Sequence, residues 1–174
     1  MTTRTDRPRR AARAPRPGMT LLELLIVLVL VALAGAMALP KLRPARERAS
    51  LRGARGDVVA AIEAARGAAL QRGREARVLV RLDRQLVRAV VDTGSAANPT
   101  RYQIATTPDL RQEYNRVQIS LPNPADSVFT YDGRGFARTS PARTVVYLLT
   151  APSGARDSVC VSARGLLLPP GCVP

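Results

Sequence analysis

An unbroken apolar run near the N-terminus constrains this chain more than any other feature. Residues 19–39 read MTLLELLIVLVLVALAGAMAL, and Glu23 is the one charged side chain among them. As an α-helix rising about 1.5 Å per residue, the run is about 30 Å long, which matches the hydrocarbon core of a bilayer. A carboxylate in such a segment costs free energy on insertion, so Glu23 is a candidate functional residue that needs a cationic partner. The run therefore predicts a membrane helix.

A secretory signal peptide is the ordinary alternative for an apolar segment in this position. The run is longer than a usual signal-peptide core, and Pro17 and Gly18 separate it from the last basic residue before it, Arg16. Ala36 and Ala38 nevertheless supply the small residues that a signal peptidase requires. Cleavage near the end of the run therefore stays open as an alternative.

The residues at the start of the run carry a more specific pattern. A short arginine-rich leader is followed by Gly18-Met19-Thr20-Leu21-Leu22-Glu23 and then by the apolar helix. This arrangement resembles the processing motif of type IV prepilins and type II secretion pseudopilins. The resemblance implies that a prepilin peptidase cuts after Gly18 and methylates the new amine of Met19. It also implies that Glu23 neutralises the N-terminal amine of a neighbouring subunit when the helix leaves the inner membrane and joins a filament.

Basic residues lie on both sides of the apolar run. Six arginines precede it and six basic residues follow it before residue 56, and each group has one acid, Asp6 or Glu47. The positive-inside rule therefore does not orient the helix by itself. The resemblance to prepilins places the leader in the cytoplasm and the C-terminal part outside it, with a single pass through the inner membrane.

The composition argues against an enzyme. The chain has no histidine, which removes the usual general base of serine and cysteine hydrolases and the commonest zinc ligand. Serines such as Ser153 do not lie in a nucleophile elbow, so a signal-anchored hydrolase is a weak hypothesis. We expect no enzyme activity, no catalytic residue, no metal and no cofactor.

Helical periodicity continues beyond the apolar run. Pro40 and Pro44 predict a kink or local melting where the chain leaves the bilayer. The helix is then expected to continue to about residue 72, with Gly73 as its C-cap and its charged residues on a solvated face. Its apolar stripe consists of Leu51, Val58, Ile62, Ala65 and Ala69.

After Gly73 the apolar pattern changes to a period of two, which is typical of β-strands. A first hairpin is expected around Asp83-Arg84-Gln85, and residues 94–99 and 123–126 are expected to be surface loops. No internal repeat is evident. The predicted strands are 76–82, 86–91, 101–106, 116–121, 127–131, 144–149, 158–162 and 166–168, which implies antiparallel sheet.

The second half also resembles the GspH/FimT family of minor pseudopilins. The resemblance rests on Ala65-Arg66-Gly67-Ala68-Ala69, on Phe129-Thr130-Tyr131-Asp132-Gly133-Arg134-Gly135, and on Val159-Cys160-Val161-Ser162-Ala163-Arg164-Gly165-Leu166. It implies an α+β, pilin-like fold in which a long N-terminal helix packs on antiparallel β-sheets. The expected organisation is a cleaved leader (1–18), a transmembrane and assembly helix (19–39), an amphipathic continuation (40–73) and a C-terminal β domain (74–174).

Two cysteines, Cys160 and Cys172, are too few for a structural zinc site and suit one disulfide in an oxidising compartment. Two independent thiols are the alternative. Their spacing is not that of a Cys-x-x-Cys redox centre, so a bond between them is expected to be structural.

The leading functional hypothesis is a structural subunit of a type II secretion pseudopilus or a type IV pilus, with prepilin peptidase and other pilins as partners. DNA capture is an alternative, because Arg134, Arg138 and Arg164 lie on the C-terminal strands and turns, as do Arg143 and Arg156. Aromatic residues make up 3% of the chain and acids are interspersed among these arginines, so a scattered basic surface is the favoured reading.

Overall fold

The structure is a computed structural model that describes residues 20–94, 100–138, 143–170 and 172, with the backbone alone at residues 38–41. The leader, Gly18, Met19 and most of the predicted loop 94–99 lie outside the described residues. The chain divides into two compact units, one up to Lys41 and one from Leu42 onward.

The first helix, α1, comprises Leu21–Arg72. Its end confirms the predicted C-cap, because Gly73 has a φ of +60° and the N–H of Arg74 donates to the carbonyl of Ala69 at 3.2 Å. These are the features of a Schellman motif, in which a left-handed residue lets the chain turn back over the last helical carbonyls. The helix continues through Pro40 and Pro44. The kink expected there stays a prediction.

The predicted apolar stripe of α1 is buried in the second unit. Leu51, Val58, Ile62, Ala65 and Ala69 all lie in one cluster with residues from six of the seven strands and the loops between them. Removing this apolar surface from water is the main stabilisation that a helix of this kind contributes.

Two charged residues of α1 correct the expectation of a solvated face. Arg55 is half-buried, and its Nε donates to the carbonyl of Ser158 at 3.4 Å. Arg66 is also half-buried, and its Nε donates to the carbonyl of Gly135 at 3.3 Å. The long apolar stems of arginine can lie over a core while the guanidinium reaches a backbone acceptor, so these two side chains help to hold the sheets to the helix.

Seven strands form two antiparallel sheets. The first sheet has the order β3-β2-β1-β5 and the second has the order β4-β6-β7. In β1 and β5 alternate residues are buried in the core, which is why a period of two is visible in the sequence there. The strand bounds are β1 Ala76–Arg81, β2 Leu86–Asp92, β3 Arg101–Thr106, β4 Gln118–Ser120, β5 Val128–Tyr131, β6 Val145–Thr150 and β7 Arg156–Val161.

The predicted first hairpin is correct, with β1 paired to β2 so that Val78 faces Ala89. The last residue of its turn, Gln85, is 5% exposed and has a φ of 48°. Its side-chain oxygen accepts from the N–H of Ile119 at 2.6 Å, and its carbonyl accepts from the N–H of Leu110 at 3.0 Å. A residue expected in an exposed turn therefore joins the two sheets.

Three predicted elements differ from the structure. Strand 116–121 is shortened to β4, because a helical turn, α2 (Leu110–Glu113), precedes it and Asn115 and Arg116 are left-handed. The loop 123–126 is a 3₁₀ helix, Pro124–Ser127. Residues 166–168 do not form a strand, since only Leu167 makes a bridge, to Val161.

Candidate functional site

Thr20 caps the start of α1. Its Oγ1 accepts a hydrogen bond from the backbone N–H of Glu23 at 3.2 Å, and its carbonyl accepts from the N–H of Leu24 at 3.2 Å. A hydroxyl three residues before a Glu is the pattern of a capping box, and the cap satisfies an N–H group that the helix leaves free. The cap uses the main chain of Glu23. The exposed side chain of Glu23 is left available for another partner.

The helix that follows presents its apolar side chains to the exterior. Exposed fractions are 83% for Leu21 and 67% for Met37. A run of this kind must be covered by lipid or by another protein, because so much contiguous apolar surface is not left in water. The exposed large apolar residues of this segment are Leu21, Leu22, Leu24, Leu25, Ile26, Val27, Leu28, Val29, Leu30, Val31, Leu33 and Met37.

No single helix within the described residues meets the length and hydropathy criteria for a membrane span. The segments Leu21–Met37 and Leu42–Arg72 are long and apolar enough only when they are taken together. The cleavage and methylation positions, Gly18 and Met19, lie outside the described residues, so Thr20 and Glu23 are the part of the motif that the structure places.

The DNA-binding candidates Arg134 and Arg164 occupy equivalent places in two similar turns. We call Asp132–Phe136 the first arginine turn and Ser162–Leu166 the second. In each, the N–H of the glycine donates to the carbonyl of the first residue, at 2.9 Å for Gly135 and 2.8 Å for Gly165. The side chain of the first residue also accepts from the N–H of the fifth, at 2.9 Å from Asp132 and 3.1 Å from Ser162.

The two turns also share a short sequence pattern. They are offset by thirty residues, and both read as Arg-Gly followed by an apolar residue, Phe136 or Leu166. Each follows a strand and returns along its outer edge, through the bridges of Tyr131 with Ala137 and of Val161 with Leu167. The shared spacing of arginine and glycine was the available sequence signal.

The second arginine turn also contacts the two residues that flank the first, Tyr131 and Ala137. The N–H of Ala137 donates to the carbonyl of Arg164 at 3.4 Å, and the hydroxyl of Tyr131 donates to the carbonyl of Gly165 at 3.0 Å. Burial raises the pKa of Tyr131 above its usual value, so the phenol stays protonated as a donor. The contact brings the exposed residues Arg134 and Arg164 onto neighbouring turns. Neither makes an ion pair within the described residues.

Two of the other candidate arginines, Arg138 and Arg143, lie next to acidic side chains. Arg138 Nη1 lies 3.7 Å from Glu75 Oε2, and Arg143 is bonded to the buried carboxylate of Asp126. Their positive charges are therefore partly neutralised within the fold. Arg156 is exposed at the start of β7.

The two cysteines are joined by a disulfide, with their Cα atoms 6.3 Å apart. Cys160 is in β7, and the segment that returns after the second arginine turn lies against the strand, where the N–H of Leu168 donates to the carbonyl of Cys160 at 2.9 Å. The hydroxyl of Ser158 donates to the carbonyl of Cys172 at 2.9 Å. The bond therefore fastens the C-terminal segment along one edge of the second sheet.

A further polar contact was not anticipated from the sequence. The hydroxyl of Tyr114 donates to Asp57 Oδ2 at 2.6 Å. This bond, together with desolvation, raises the pKa of Tyr114 to about 12. Gly53 makes the close approach possible, because a Cβ there would lie 2.6 Å from the tyrosine ring. No sequence spacing would have paired residues so far apart.

Metal-ligating side chains are not gathered anywhere in the described part of the chain. Among those residues, no group of three or more His, Cys, Asp or Glu side chains could hold an ion.

Known proteins resemble this chain in its N-terminal motif and in its fold. Residues 13–39 match the family described as the prokaryotic N-terminal methylation motif. No curated protein sequence matches the chain. A crystal structure of the Pseudomonas aeruginosa PAO1 type IV minor pilin FimU is similar in fold, with a TM-score of 0.51 and 17% identity, covering 70% of this chain and 89% of that one. A second crystal form of FimU gives a TM-score of 0.49 and 17% identity, covering 68% and 93%.

Proposed function

We propose that this type IV pilin-like chain is a minor structural subunit of a filament that serves type II secretion or a type IV pilus. One observation carries the proposal: the methylation motif at residues 13–39 leads into an exposed apolar helix that holds a single carboxylate, Glu23. The α+β fold, similar to that of a minor pilin, supports it. Within this class, the features of residues 65–69, 129–135 and 159–166 favour a GspH/FimT-like subunit.

The role is assembly rather than chemistry. A prepilin peptidase cuts after Gly18 and methylates Met19, and the mature helix of residues 19–39 is held in the inner membrane with residues 74–174 outside the cytoplasm. In a filament, the carboxylate of Glu23 neutralises the Met19 amine of a neighbouring subunit. The capped start of the helix supports this, because Thr20 satisfies the main chain of Glu23 and leaves its carboxylate exposed.

Processing is tested by co-expression with a prepilin peptidase. We expect the chain to lose its first eighteen residues and to begin with a methylated Met19, as read by N-terminal sequencing and intact mass. Gly18→Val should block the cut because the side chain obstructs the scissile bond, whereas the control Ala36→Val should not. A product that begins at Leu39 or another residue after an alanine would falsify the pilin assignment and indicate an ordinary signal peptidase.

The role of the carboxylate is tested with Glu23→Ala. The variant should insert into the membrane at least as well as the wild type, since it removes a charge from an apolar helix, at a gain below the roughly 2.5 kcal/mol that applies at a bilayer centre. It should fail to enter filaments, because the neighbour's amine loses its partner. Glu63→Ala, at an exposed position of α1 outside the apolar run, serves as the charge-matched control. Normal filament incorporation of Glu23→Ala, measured by sheared-filament immunoblot, would refute the pairing.

DNA capture is a second candidate, and one observation favours it. Arg134 and Arg164 lie on neighbouring turns, and neither has an ion-pair partner among the described residues. Two phosphate contacts would give a slope of about −2 for log affinity against log salt. We favour the structural role, because Arg138 and Arg143 are compensated by acids.

Fluorescence anisotropy with a duplex oligonucleotide separates these readings. Loss of binding near physiological salt, unchanged in Arg134→Ala/Arg164→Ala, marks non-specific attraction. Persistent binding that this double variant abolishes, while the control Arg156→Ala retains it, establishes DNA capture.

A further inference from the structure

A basic cleft lies in the second unit, just beyond the apolar run. It has a volume of about 620 Å³ and is formed by α1 and by the turn that follows α2. Its lining residues are Arg43, Arg46, Glu47, Ala49, Ser50 and Asn115.

The wall opposite α1 is held in place by contacts with that helix and by a closed turn. Tyr114 packs over Gly53 and is hydrogen-bonded to Asp57, and the next residue, Asn115, is left-handed with a φ of 49°. The N–H of Arg116 donates to the carbonyl of Arg111 at 2.9 Å, which closes the turn. Asn115 therefore lines a cleft whose shape does not depend on a loose loop.

The guanidinium groups of the two arginines in the cleft have no protein partner among the described residues. Arg43 and Arg46 are exposed and form neither an ion pair nor a side-chain hydrogen bond within the described residues. Arg55, farther along the same helix, is bonded to Ser158 and lies 3.9 Å from Asp157. Glu47 is the one acid that lines the cleft, beside two arginines.

The position of these arginines in the chain limits how far they can be from a bilayer. Arg43 is four residues after Leu39, the last residue of the apolar run, so it lies within about 14 Å of that residue. If the run spans the hydrocarbon, as the proposed function requires, Arg43 is in or next to the headgroup layer, which is roughly 5–8 Å deep on each side. The phosphates of lipids are therefore within reach of Arg43, at one end of the cleft.

The distribution of charge points the same way. Basic residues are disfavoured on the translocated side of a membrane helix. Six of them, with one acid, nevertheless follow the apolar run before residue 56. Anionic headgroups attract such residues and offset that cost.

We propose that the cleft lined by Arg43, Arg46, Glu47, Ser50 and Asn115 binds the headgroup of an anionic phospholipid of the phosphatidylglycerol type. The two guanidinium groups pair with the phosphate, since arginine binds phosphate oxygens in a bidentate manner. The Ser50 hydroxyl and the Asn115 amide donate to phosphate or glycerol oxygens, and Glu47 accepts from the headgroup hydroxyls. The cleft would hold the subunit at the outer leaflet before assembly. This inference rests on the proposed function for its placement beside the bilayer.

The test uses the processed full chain in lipid nanodiscs and compares spin-labelled phosphatidylglycerol with spin-labelled phosphatidylcholine. The fraction of motionally restricted label gives a relative association constant. A basic residue at an anionic surface contributes about fivefold in affinity, so we expect wild type to prefer phosphatidylglycerol by at least that factor. Arg43→Gln/Arg46→Gln should remove most of this preference. Arg48→Gln/Arg52→Gln removes the same charge from residues that do not line the cleft and should retain it.

Three results would overturn the proposal: equal association of both lipids with wild type, equal loss in the two double variants, or displacement of restricted phosphatidylglycerol by inorganic phosphate. The second would indicate diffuse attraction, and the third a site for free phosphate. Failure of the chain to enter the nanodisc would instead contradict the proposed function, so the two ideas fail separately.

Discussion

Gly165 occupies a position where one added carbon should separate two packed turns. A Cβ there would lie 2.6 Å from a ring carbon of Tyr131 and 3.0 Å from the backbone nitrogen of Ala137. Tyr131 is 0% exposed and cannot swing into solvent. Gly165 also has a φ of +85°, which L-residues rarely adopt.

The expected cost of Gly165→Ala has three parts. The left-handed backbone costs about 1–2 kcal/mol with a side chain. Overpacking against a fixed ring costs about 1–3 kcal/mol. Loss of the hydrogen bond from Tyr131 to the Gly165 carbonyl costs about 1 kcal/mol. Together these lower the unfolding free energy by about 3–6 kcal/mol. Gly154 is the matched control, because it has the same φ of +85° and no atom within 4 Å of an added Cβ.

Gly154→Ala should therefore cost only the backbone part, about 1–2 kcal/mol. The measurement is urea unfolding of a fragment that starts at Ser50, which contains the buried core and is predicted to fold without the apolar run. Equal losses in the two variants would show that the contact between the arginine turns does not constrain the fold.

Two further predictions concern pH and redox state. The pKa of Tyr114 is raised to about 12 in the folded protein, so its contribution to stability is complete below about pH 10 and is lost as the pH rises from 10 to 12. The difference in unfolding free energy between wild type and Tyr114→Phe should shrink over that range, and a constant difference contradicts the role of the bond to Asp57. Cys160→Ser/Cys172→Ser should lower the unfolding free energy by about 3 kcal/mol, because closure of a short loop is lost. Thiols that react freely with an alkylating agent in exported, unreduced protein would show that the bond does not form.

The elements with long, regular patterns were predictable from the sequence. The stripe from Leu51 to Ala69 repeats over five helical turns, and Gly73 has a cap chemistry that few residues share. The predicted α+β class with antiparallel sheets is also correct. Where one face of a strand is buried, apolar and polar residues alternate along it, and this alternation can be read from the sequence.

The features that the sequence did not predict are either too short to show a pattern or depend on contacts between residues far apart in the chain. The helix α2 has four residues and buries only Leu110, so no periodicity could be read, and the cap of Asp109 was its sole signal. The ends of Arg55 and Arg66 reach carbonyls more than sixty residues away, and their charge alone suggested solvent. The apolar run and Glu23 were evident at once, whereas the cleft beside Arg43 depends on a turn that only the tertiary fold brings there.

The segments that follow the two arginine turns cover part of the hydrogen-bonding edges of the edge strands β5 and β7. The N–H of Arg138 donates to the carbonyl of Thr130 at 2.8 Å, and the N–H of Leu168 donates to that of Cys160 at 2.9 Å, so β5 and β7 have their outer carbonyls occupied there. An unoccupied border is a template on which another chain can extend a sheet. A second copy of the chain therefore cannot extend either sheet along β5 or β7 at these positions.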